Sequence, residues 1–408
     1  MAGPETLLGL DIGTTKVAAV LAGRGAEVTL LGAACVPCAG LRRGTVVDVA
    51  ETARAIREAV AKAQRMAGVE LEAAWVGVTG QHISCLNSRG EIPIARAHRQ
   101  ITWDDVEKVM GVAVNGVSLS PDRQMIHAIS RGFQVDGEAR VRNPSGLVAN
   151  RLAVETHIIT ASRNLIANVV KAVEQAGLEV AELVAEPLAA ADAVLTPDEE
   201  ELGTLLIDIG GGTTDLALFL EGSIAFTGAV PVGGTNVTHD LAVALGITHP
   251  QAEQVKLAHG VCDPASVPEE AEVEVPGEEQ RTVSRRLAAE VIEARTRETF
   301  NLVANEMSRL DTTWPPPGGV VLTGGGSLLP GLAVLAERSL GCRVRLGRPR
   351  VASGPVELLE TPSLATGVGL VYYAHKEVES QRAEPRRRVR ALPILGRVVA
   401  WVRELFSS

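Results

Sequence analysis

A glycine turn that occurs twice in the chain is the feature that most constrains its fold. The run at residues 7–15 (LLGLDIGTT) recurs at residues 205–215 (LLIDIGGGTTD), about two hundred residues later. In each copy an apolar run leads into the turn and a second apolar run follows it. This pattern predicts a β-hairpin whose tip exposes its backbone. Two such hairpins so far apart indicate two related lobes with a cleft between them.

The bulk composition agrees with a large folded protein. The chain has 408 residues, of which 46% are hydrophobic, so it is long enough for two lobes with their own cores. Its net charge of −10 argues against a general nucleic-acid binder, which would need a basic face. We expect no signal peptide, and no run of about 18 apolar residues predicts a membrane span.

Apolar residues at helical spacing predict helices between the two hairpins. These helices are expected at residues 49–67, 163–176 and 182–195, the last of them ended by Pro197. Residues 81–160 differ in texture, with short strands and one acidic helix at 104–114, and predict an inserted α+β module. Residues 268–280 predict a solvated hairpin or loop, and residues 376–390 a polar linker.

The two turns carry the groups that a bound triphosphate needs. Glycine lets backbone N–H groups approach phosphate closely, and threonine adds hydroxyl donors. Asp11 and Asp208 stand at the strand ends, where each can hold Mg²⁺ through water. Lys16 either reaches a phosphate or points to solvent. The predicted phosphate-binding residues are Asp11, Gly13, Thr14, Thr15, Lys16, Gly210, Gly211, Gly212, Thr213, Thr214 and Asp215.

A third glycine motif supports a nucleotide site. Residues 320–323 predict a strand that enters a turn formed by Gly324, Gly325, Gly326 and Ser327, with a helix starting near Leu329. A helix N-terminus that is preceded by glycines, which carry no side chain, suits the base or a phosphate of a nucleotide. Gly233 and Gly234 are further nucleotide-binding candidates.

Together these motifs resemble the superfamily of actin, heat-shock chaperones and sugar kinases. The resemblance implies that Glu186, in the run EPLAAA, places the water that attacks the γ-phosphate, and that Asp208 also serves catalysis. It further implies that Glu253 and Lys256 hold the ribose and adenine. The alternative for Glu186 is a carboxylate at the start of a solvent-facing helix.

Within that superfamily the chain resembles the FtsA family of bacterial cell-division proteins over nearly its whole length. The runs GQHISC at residues 80–85, NPSGL at 143–147 and EVIE at 290–293 carry this resemblance. It implies two ribonuclease-H-like actin lobes (α/β) with an inserted α+β subdomain in the first. The expected division is 5–81 and 161–201 for the first lobe, 82–160 for the insertion, 202–243 and 313–375 for the second lobe, 244–312 for its smaller part, 376–392 for a linker and 393–408 for a terminal helix.

The resemblance also implies partners and a place in the cell. It indicates an ATP-binding adaptor that forms filaments on the cytoplasmic face of the membrane at the division site, binds the C-terminal tail of FtsZ and meets other division proteins. Whether ATP is hydrolysed stays open. The candidates for FtsZ binding are Arg285, Arg286, Arg295, Arg297 and Asn301. The alternative is a solvated helix face in which Glu293 pairs with Arg297.

The end of the chain predicts an amphipathic helix. At about 100° per residue, eight apolar side chains share one arc of roughly 160°. They are Ile394, Leu395, Val398, Val399, Trp401, Val402, Leu405 and Phe406. Four arginines between residues 386 and 390 lie just upstream, as suits an anionic membrane surface. A terminal helix docked on the protein's own core is the alternative.

Two other functions use the same nucleotide motifs. A small-molecule kinase would need an additional general base beside the γ-phosphate, and no acidic residue in a glycine-rich setting suggests one. A pilus-assembly actin-like protein would share the motifs, but the basic terminal helix favours the division adaptor. A chaperone would need a peptide-binding domain after Tyr373, for which the sequence has no room.

Overall fold

The computed structural model describes residues 6–25, 27–94, 99–138, 140–277, 281–351, 353–354 and 360–383. The predicted membrane helix at 393–408 and the part of the predicted linker from residue 384 onward lie outside these ranges. Within them, no helix has both the length and the apolar character needed to cross a membrane.

The chain contains both strands and helices, and most strands occur in consecutive groups. The strands are Thr6–Ile12 (β1), Lys16–Arg24 (β2), Val28–Pro37 (β3), Leu41–Arg42 (β4), Thr45–Val46 (β5), Ala73–Val78 (β6), Ser84–Pro93 (β7), Arg99–Gln100 (β8), Arg123–Val135 (β9), Val148–Ala149 (β10), Arg151–Ser162 (β11), Glu179–Ala185 (β12), Thr204–Ile209 (β13), Thr214–Leu220 (β14), Ser223–Val230 (β15), Glu272–Glu274 (β16), Thr282–Ser284 (β17), Val320–Thr323 (β18) and Val344–Leu346 (β19). The helices are Val49–Ala67 (α1), Trp103–Asn115 (α2), Arg163–Gln175 (α3), Glu186–Val194 (α4), Pro197–Leu202 (α5), Gly234–Leu245 (α6), His249–His259 (α7), Arg285–Met307 (α8), Leu332–Leu340 (α9) and Ala365–Ala383 (α10).

Two five-stranded sheets with the same topology form the body of the molecule. Their strand orders are β3-β2-β1-β6-β12 and β15-β14-β13-β18-β19. In each sheet the first three strands form an antiparallel meander, and the strand on the other side of the central one runs parallel to it. Both hairpins predicted from the repeated turn are therefore confirmed. We call the first sheet with its helices lobe 1 and the second sheet with its helices lobe 2.

The C-terminal helix α10 belongs to lobe 1 although it follows lobe 2 in the chain. It packs against β1 and α4. Gly9 of β1 allows this contact, because a β-carbon there would lie 2.8 Å from the carbonyl oxygen of Gly367. The first turn of α10 is thereby placed at the cleft between the lobes.

The inserted region folds as a sheet with one covering helix. Strands β7, β11 and β9 pair antiparallel, and α2 packs on them over a small core that includes Met110, Phe133 and Leu152. Helix α2 confirms the acidic helix predicted in this region. In lobe 2, β16 and β17 form a small hairpin, which agrees with the hairpin or loop predicted at 268–280.

The single helix predicted at 182–195 is wrong at its start, but it ends within one residue of the predicted position, at Val194. Residues up to Ala185 form the strand β12, parallel to β6, and the helix begins only at Glu186. Pro197 does not end that helix but occupies the first turn of α5. Short buried apolar runs suit strand and helix equally, so the spacing alone misled the prediction.

The polar linker predicted from Lys376 is also wrong for its first part. Helix α10 continues to Ala383. Its charged residues are attached to lobe 1, since Lys376 pairs with Asp192 at 2.5 Å and Glu379 lies 3.9 Å from Arg24. Lysine and glutamate favour helix intrinsically, so the lack of an apolar period did not stop the helix. The helix predicted near Leu329 begins at Leu332, after a short 3₁₀ turn at Gly325–Leu328.

Candidate nucleotide-binding site

The two hairpin tips, the third glycine turn and the first turn of α10 surround one cavity of about 510 Å³ between the lobes. Most of the predicted nucleotide-binding residues line it. They are Asp11, Gly13, Thr14, Thr15, Lys16, Glu186, Asp208, Gly210, Gly211, Gly212, Thr213, Asp215, Gly234, Glu253, Lys256, Gly324, Gly325 and Gly326. The structure therefore brings together residues more than 300 positions apart in the sequence.

Three predicted residues lie behind the cavity wall. The Thr214 hydroxyl donates to the carbonyl of Val232, at 2.8 Å, and the Ser327 hydroxyl to the carbonyl of Gly324, at 2.7 Å. The N–H of Gly233 donates to the side chain of Asn236 at the start of α6. These three residues shape the turns rather than face the cavity.

The two repeated turns have the same local geometry and meet each other. In each, the first glycine donates its N–H to a carbonyl three residues on, at 2.9 Å, from Gly13 to Lys16 and from Gly210 to Thr213. A β-carbon on Gly212 would lie 2.5 Å from the Thr14 hydroxyl. A side chain at this position would therefore hold the two tips apart, which explains the glycine here.

Four carboxylates lie close to these tips and are nearly excluded from solvent. Asp11, Asp208, Asp215 and Glu186 are each less than 9% exposed. Burial raises the pKa of Asp11 and of Asp208 to about 6 and that of Asp215 to about 7. Burial, followed by the three neighbouring aspartates, raises the pKa of Glu186 well above its usual value. This cluster of like charges favours a bound cation, which would offset the repulsion.

Two threonines that the sequence did not single out hold two of these carboxylates. Thr366 donates to Asp208 Oδ2 at 3.0 Å, and Thr79 donates to Asp215 Oδ1 at 2.5 Å. Thr79 directly follows a buried strand, a position that could have drawn attention, because ligand sites form at the carboxyl ends of parallel strands. Nothing in the local sequence marks Thr366.

Glu186 differs from Asp208 and Asp215, whose carboxylates accept threonine hydroxyls. It begins α4, and its Oε1 atom has no hydrogen-bond partner among the described residues. Gly77 makes room for it, because a β-carbon there would lie 3.0 Å from Glu186 Cγ. The alternative of a solvent-facing helix start is excluded, since Glu186 is only 6% exposed.

The basic side chains of the cleft are anchored to the protein. Lys16 does not point to solvent: its ammonium group donates to the carbonyl of Ser363, next to the start of α10. Lys256 is 8% exposed and donates to Glu253 at 2.7 Å, to Thr238 at 2.8 Å and to the carbonyl of Gly234 at 3.1 Å. Each lysine thus has a fixed position at the wall.

The carboxylates of the cavity fit a Mg²⁺ ion that is bound by protein and phosphate oxygens together, rather than by protein ligands alone. Among the described residues, no group of three or more His, Cys, Asp or Glu side chains is placed to ligate a metal ion directly. Mg²⁺ in nucleotide sites commonly takes one or two carboxylates, water and phosphate oxygens. Asp11 and Asp208, the two residues predicted for the metal, line the same cavity.

The candidate partner residues all lie on α8 and are mostly paired within the protein. Arg295 contacts Asp240 of α6 at 2.5 Å and Glu298 at 2.7 Å. Arg297 pairs with Glu293, as the alternative interpretation expected. Arg286 lies 3.5 Å from Glu290, Arg285 donates to the carbonyl of His259, and Asn301 is exposed.

Sequence comparisons agree on one family. A family model described as "Cell division protein FtsA" matches residues 205–369, and one described as "SHS2 domain inserted in FTSA" matches residues 80–160. The chain is 36% identical to the cell division protein FtsA of Pseudomonas aeruginosa over 419 residues, covering 98% of each chain. It is 34% identical to that of Escherichia coli K12, covering 99% of this chain and 97% of the other, and 36% identical to that of Bacillus subtilis, covering 92% and 85%.

Solved structures support the fold. The "PilM-PilN type IV pilus biogenesis complex" is similar with a TM-score of 0.62 and 19% identity, covering 90% of this chain and 98% of the other. MreB5 of Spiroplasma citri bound to ADP gives a TM-score of 0.51 and 16% identity, covering 93% and 99%. The predicted fold, two actin-like lobes with an inserted subdomain, is confirmed; the amphipathic helix predicted at 393–408 lies outside the described residues.

Proposed function

The chain belongs to the FtsA family of cell-division proteins, and from this premise we propose that it binds Mg²⁺–ATP, polymerises on the cytoplasmic membrane and tethers FtsZ filaments to it during septal-ring assembly. One observation supports the nucleotide part above all. The two copies of the glycine turn meet at a single cavity beside four buried carboxylates.

In this proposal the two hairpin tips hold the phosphates. Their backbone N–H groups and the hydroxyls of Thr14, Thr15 and Thr213 are the donors. Asp11 and Asp208 hold Mg²⁺ through water, and the cation supplies charge compensation for the phosphates and the carboxylates together. Glu186 is the proposed residue that orients the attacking water. Its raised pKa makes its carboxylate a better proton acceptor.

The base and ribose of the nucleotide are assigned to the wall of the same cavity. Glu253 and Lys256 line that wall and are proposed to hold them. Leu257 and Leu328 line the same cavity although 75% and 48% of their surfaces are exposed. Covering these two side chains with a flat apolar base would remove exposed apolar surface from water, which is favourable.

Titration calorimetry with Mg²⁺–ATP tests this assignment. Asp208→Ala should lose tight binding while the lobes stay folded, because the phosphates and the cation lose a charged partner in a desolvated cleft. Asp198→Ala, which removes a carboxylate outside the cavity in the first turn of α5, is the matched control and should bind like the parent. Equal ATP affinity in the parent and Asp208→Ala would refute the role of Asp208.

The membrane part of the proposal rests on the sequence of residues 393–408. One amphipathic helix of this length binds weakly, and a filament that displays many copies binds through avidity. Removing residues 392–408 should release the protein from anionic liposomes and leave ATP affinity unchanged. Trp401→Glu, which places a charge in the apolar arc, should act similarly. Ala400→Glu adds the same charge to the opposite arc and should still pellet with liposomes.

The same co-sedimentation assay tests the partner. Adding FtsZ should bring it into the liposome pellet only when the full-length chain is present, and a peptide of the FtsZ tail should compete. We propose residues 244–312 as the docking region, and 82–160 as the subdomain that makes filament contacts. Recruitment of FtsZ that persists with the tail-truncated chain would contradict the tethering role.

A further inference from the structure

Two buried threonines of lobe 1 hold two carboxylates of lobe 2. Thr79 follows β6 of the first sheet, and Thr366 lies in the first turn of α10, which packs against β1. Their acceptors, Asp215 and Asp208, belong to β14 and β13 of the second sheet. All four residues are less than 9% exposed, so water competes little for these hydrogen bonds.

Each hydroxyl restricts the carboxylate that it contacts. Thr366 donates to Oδ2 of Asp208, while the other oxygen, Oδ1, lies against Gly324, where a β-carbon would be only 2.2 Å away. Asp208 is therefore held on two sides. Asp215 receives Thr79 on Oδ1 at 2.5 Å and Thr213 on Oδ2 at 3.3 Å.

Other bonds tie the same segment of lobe 1 to the cleft. The N–H of Gly324 donates to the carbonyl of Pro362 at 3.2 Å, and Lys16 donates to the carbonyl of Ser363. The segment from Pro362 to Thr366 therefore contacts the first phosphate turn, the third glycine turn and Asp208. It therefore lies at the contact between the two lobes.

We infer that Thr79 and Thr366 are positioning residues, which orient Asp215 and Asp208 toward Mg²⁺ when the lobes are together. This inference rests on the proposed Mg²⁺–ATP site. Because each donor and its acceptor lie in different lobes, separating the lobes breaks both hydrogen bonds at once. Binding of Mg²⁺–ATP and approach of the lobes thus reinforce each other. Partners that orient metal-binding side chains commonly change metal affinity by about 10–100-fold.

The test compares nucleotide affinity with and without the metal. The full chain is titrated with a fluorescent ATP analogue in excess Mg²⁺ and again in EDTA. Thr79→Val and Thr366→Val keep the shape of the side chain and remove the donor. Each should weaken binding in Mg²⁺ by roughly tenfold and leave binding in EDTA nearly unchanged. Thr79→Ser and Thr366→Ser keep a hydroxyl and should bind the ATP analogue in Mg²⁺ as tightly as the parent.

Thr52→Val is the matched control. Thr52 is fully buried, and its hydroxyl donates to the carbonyl of Asp48 at 2.6 Å, away from the cavity. Thr52→Val should bind the ATP analogue as tightly as the parent in Mg²⁺ and in EDTA. This control shows whether the loss of any buried hydroxyl weakens binding, or only the loss of the Thr79 and Thr366 hydroxyls. Circular dichroism checks folding, and Thr→Ala replaces a valine variant that does not fold.

Each outcome decides the inference. The inference is wrong if both valine variants gain as much affinity for the ATP analogue from Mg²⁺ as the parent does. It is also wrong if the serine variants lose as much affinity in Mg²⁺ as the valine variants. An equal loss in EDTA also overturns it, because it would indicate general damage to the cleft. If the parent itself binds ATP no more tightly in Mg²⁺ than in EDTA, the proposed Mg²⁺–ATP site fails and the inference fails with it.

Discussion

Gly324 gives the sharpest prediction about how the cleft is built. Its φ of +84° and ψ of 165° place it in a region that essentially only glycine adopts, and a β-carbon on it would lie 2.2 Å from Asp208 Oδ1 and 2.5 Å from the carbonyl oxygen of Ile209. Gly324→Ala therefore combines two costs. This backbone conformation costs about 1–3 kcal/mol for alanine, and the steric conflict adds about 1–3 kcal/mol. We expect the free energy of unfolding to fall by about 2–6 kcal/mol.

Two other glycines of lobe 2 separate these costs. Gly341 has φ of +70°, and a β-carbon added to it would meet no atom within 4 Å, so Gly341→Ala should lose only about 1 kcal/mol. Gly325, beside Gly324, is outside the left-handed region, and the nearest atom to a β-carbon there would be 3.7 Å away, so Gly325→Ala should be nearly neutral. The three variants differ by one methyl group each from the parent.

Urea denaturation followed by circular dichroism measures the three losses, and calorimetry measures ATP affinity. The steric conflict should displace the Asp208 carboxylate, so Gly324→Ala should also weaken binding of Mg²⁺–ATP, whereas Gly341→Ala should not. If Gly324→Ala loses no more stability than Gly341→Ala, the conflict with Asp208 is not real. If it loses stability but keeps full affinity, Asp208 does not depend on that position.

Three further predictions concern regions away from the cavity. Burial, with a contribution from Glu377, raises the pKa of Glu182 to about 8. Because Glu182 ionises at lower pH in the unfolded chain, the folded protein loses stability as the pH rises from about 4.5 to 8. In urea denaturation, Glu182→Gln should raise the free energy of unfolding by on the order of 3 kcal/mol at pH 8 and change it very little at pH 4. Arg295→Glu should lower the free energy of unfolding by about 2 kcal/mol, because it breaks the contact with Asp240. Arg297→Glu changes a side chain that is 55% exposed, so it should fold normally and weaken binding of the FtsZ tail in fluorescence anisotropy. Phe300→Ala, at a fully buried position in lobe 2, should lower the free energy of unfolding by about 3–5 kcal/mol. A smaller decrease would show that the surrounding core repacks to fill the cavity left by the ring.

Features set by neighbouring residues were predictable from the sequence. Helix α1 was predicted with both its ends, because Asp48 caps its start by accepting the N–H of Glu51 and Gly68 ends it with φ of +68°. Both signals lie next to the helix in the sequence. The two hairpins were predictable for the same reason, since a tight turn between two apolar runs is encoded within about 15 residues.

Features set by distant residues were not predictable. Residues 182–185 form a strand because β6, about a hundred positions earlier, provides its hydrogen-bonding edge. Thr79 and Thr366 reach carboxylates that are 136 and 158 positions away. A threonine that donates across a cleft has the same local sequence as one that faces solvent, so only the three-dimensional arrangement distinguishes it.

The third glycine turn shows how far a motif alone can take the interpretation. A glycine indicates that something approaches the backbone closely, but not whether the neighbour is a ligand or the protein itself. Gly324 makes room for Asp208, and Gly326 for Ile209, whose Cγ2 would lie 2.4 Å from a β-carbon. Gly325 lines the cavity without such a contact. Of the three glycines, Gly325 is therefore the one that protein atoms do not crowd, and Gly324 and Gly326 serve the cavity by letting β13 lie close behind it.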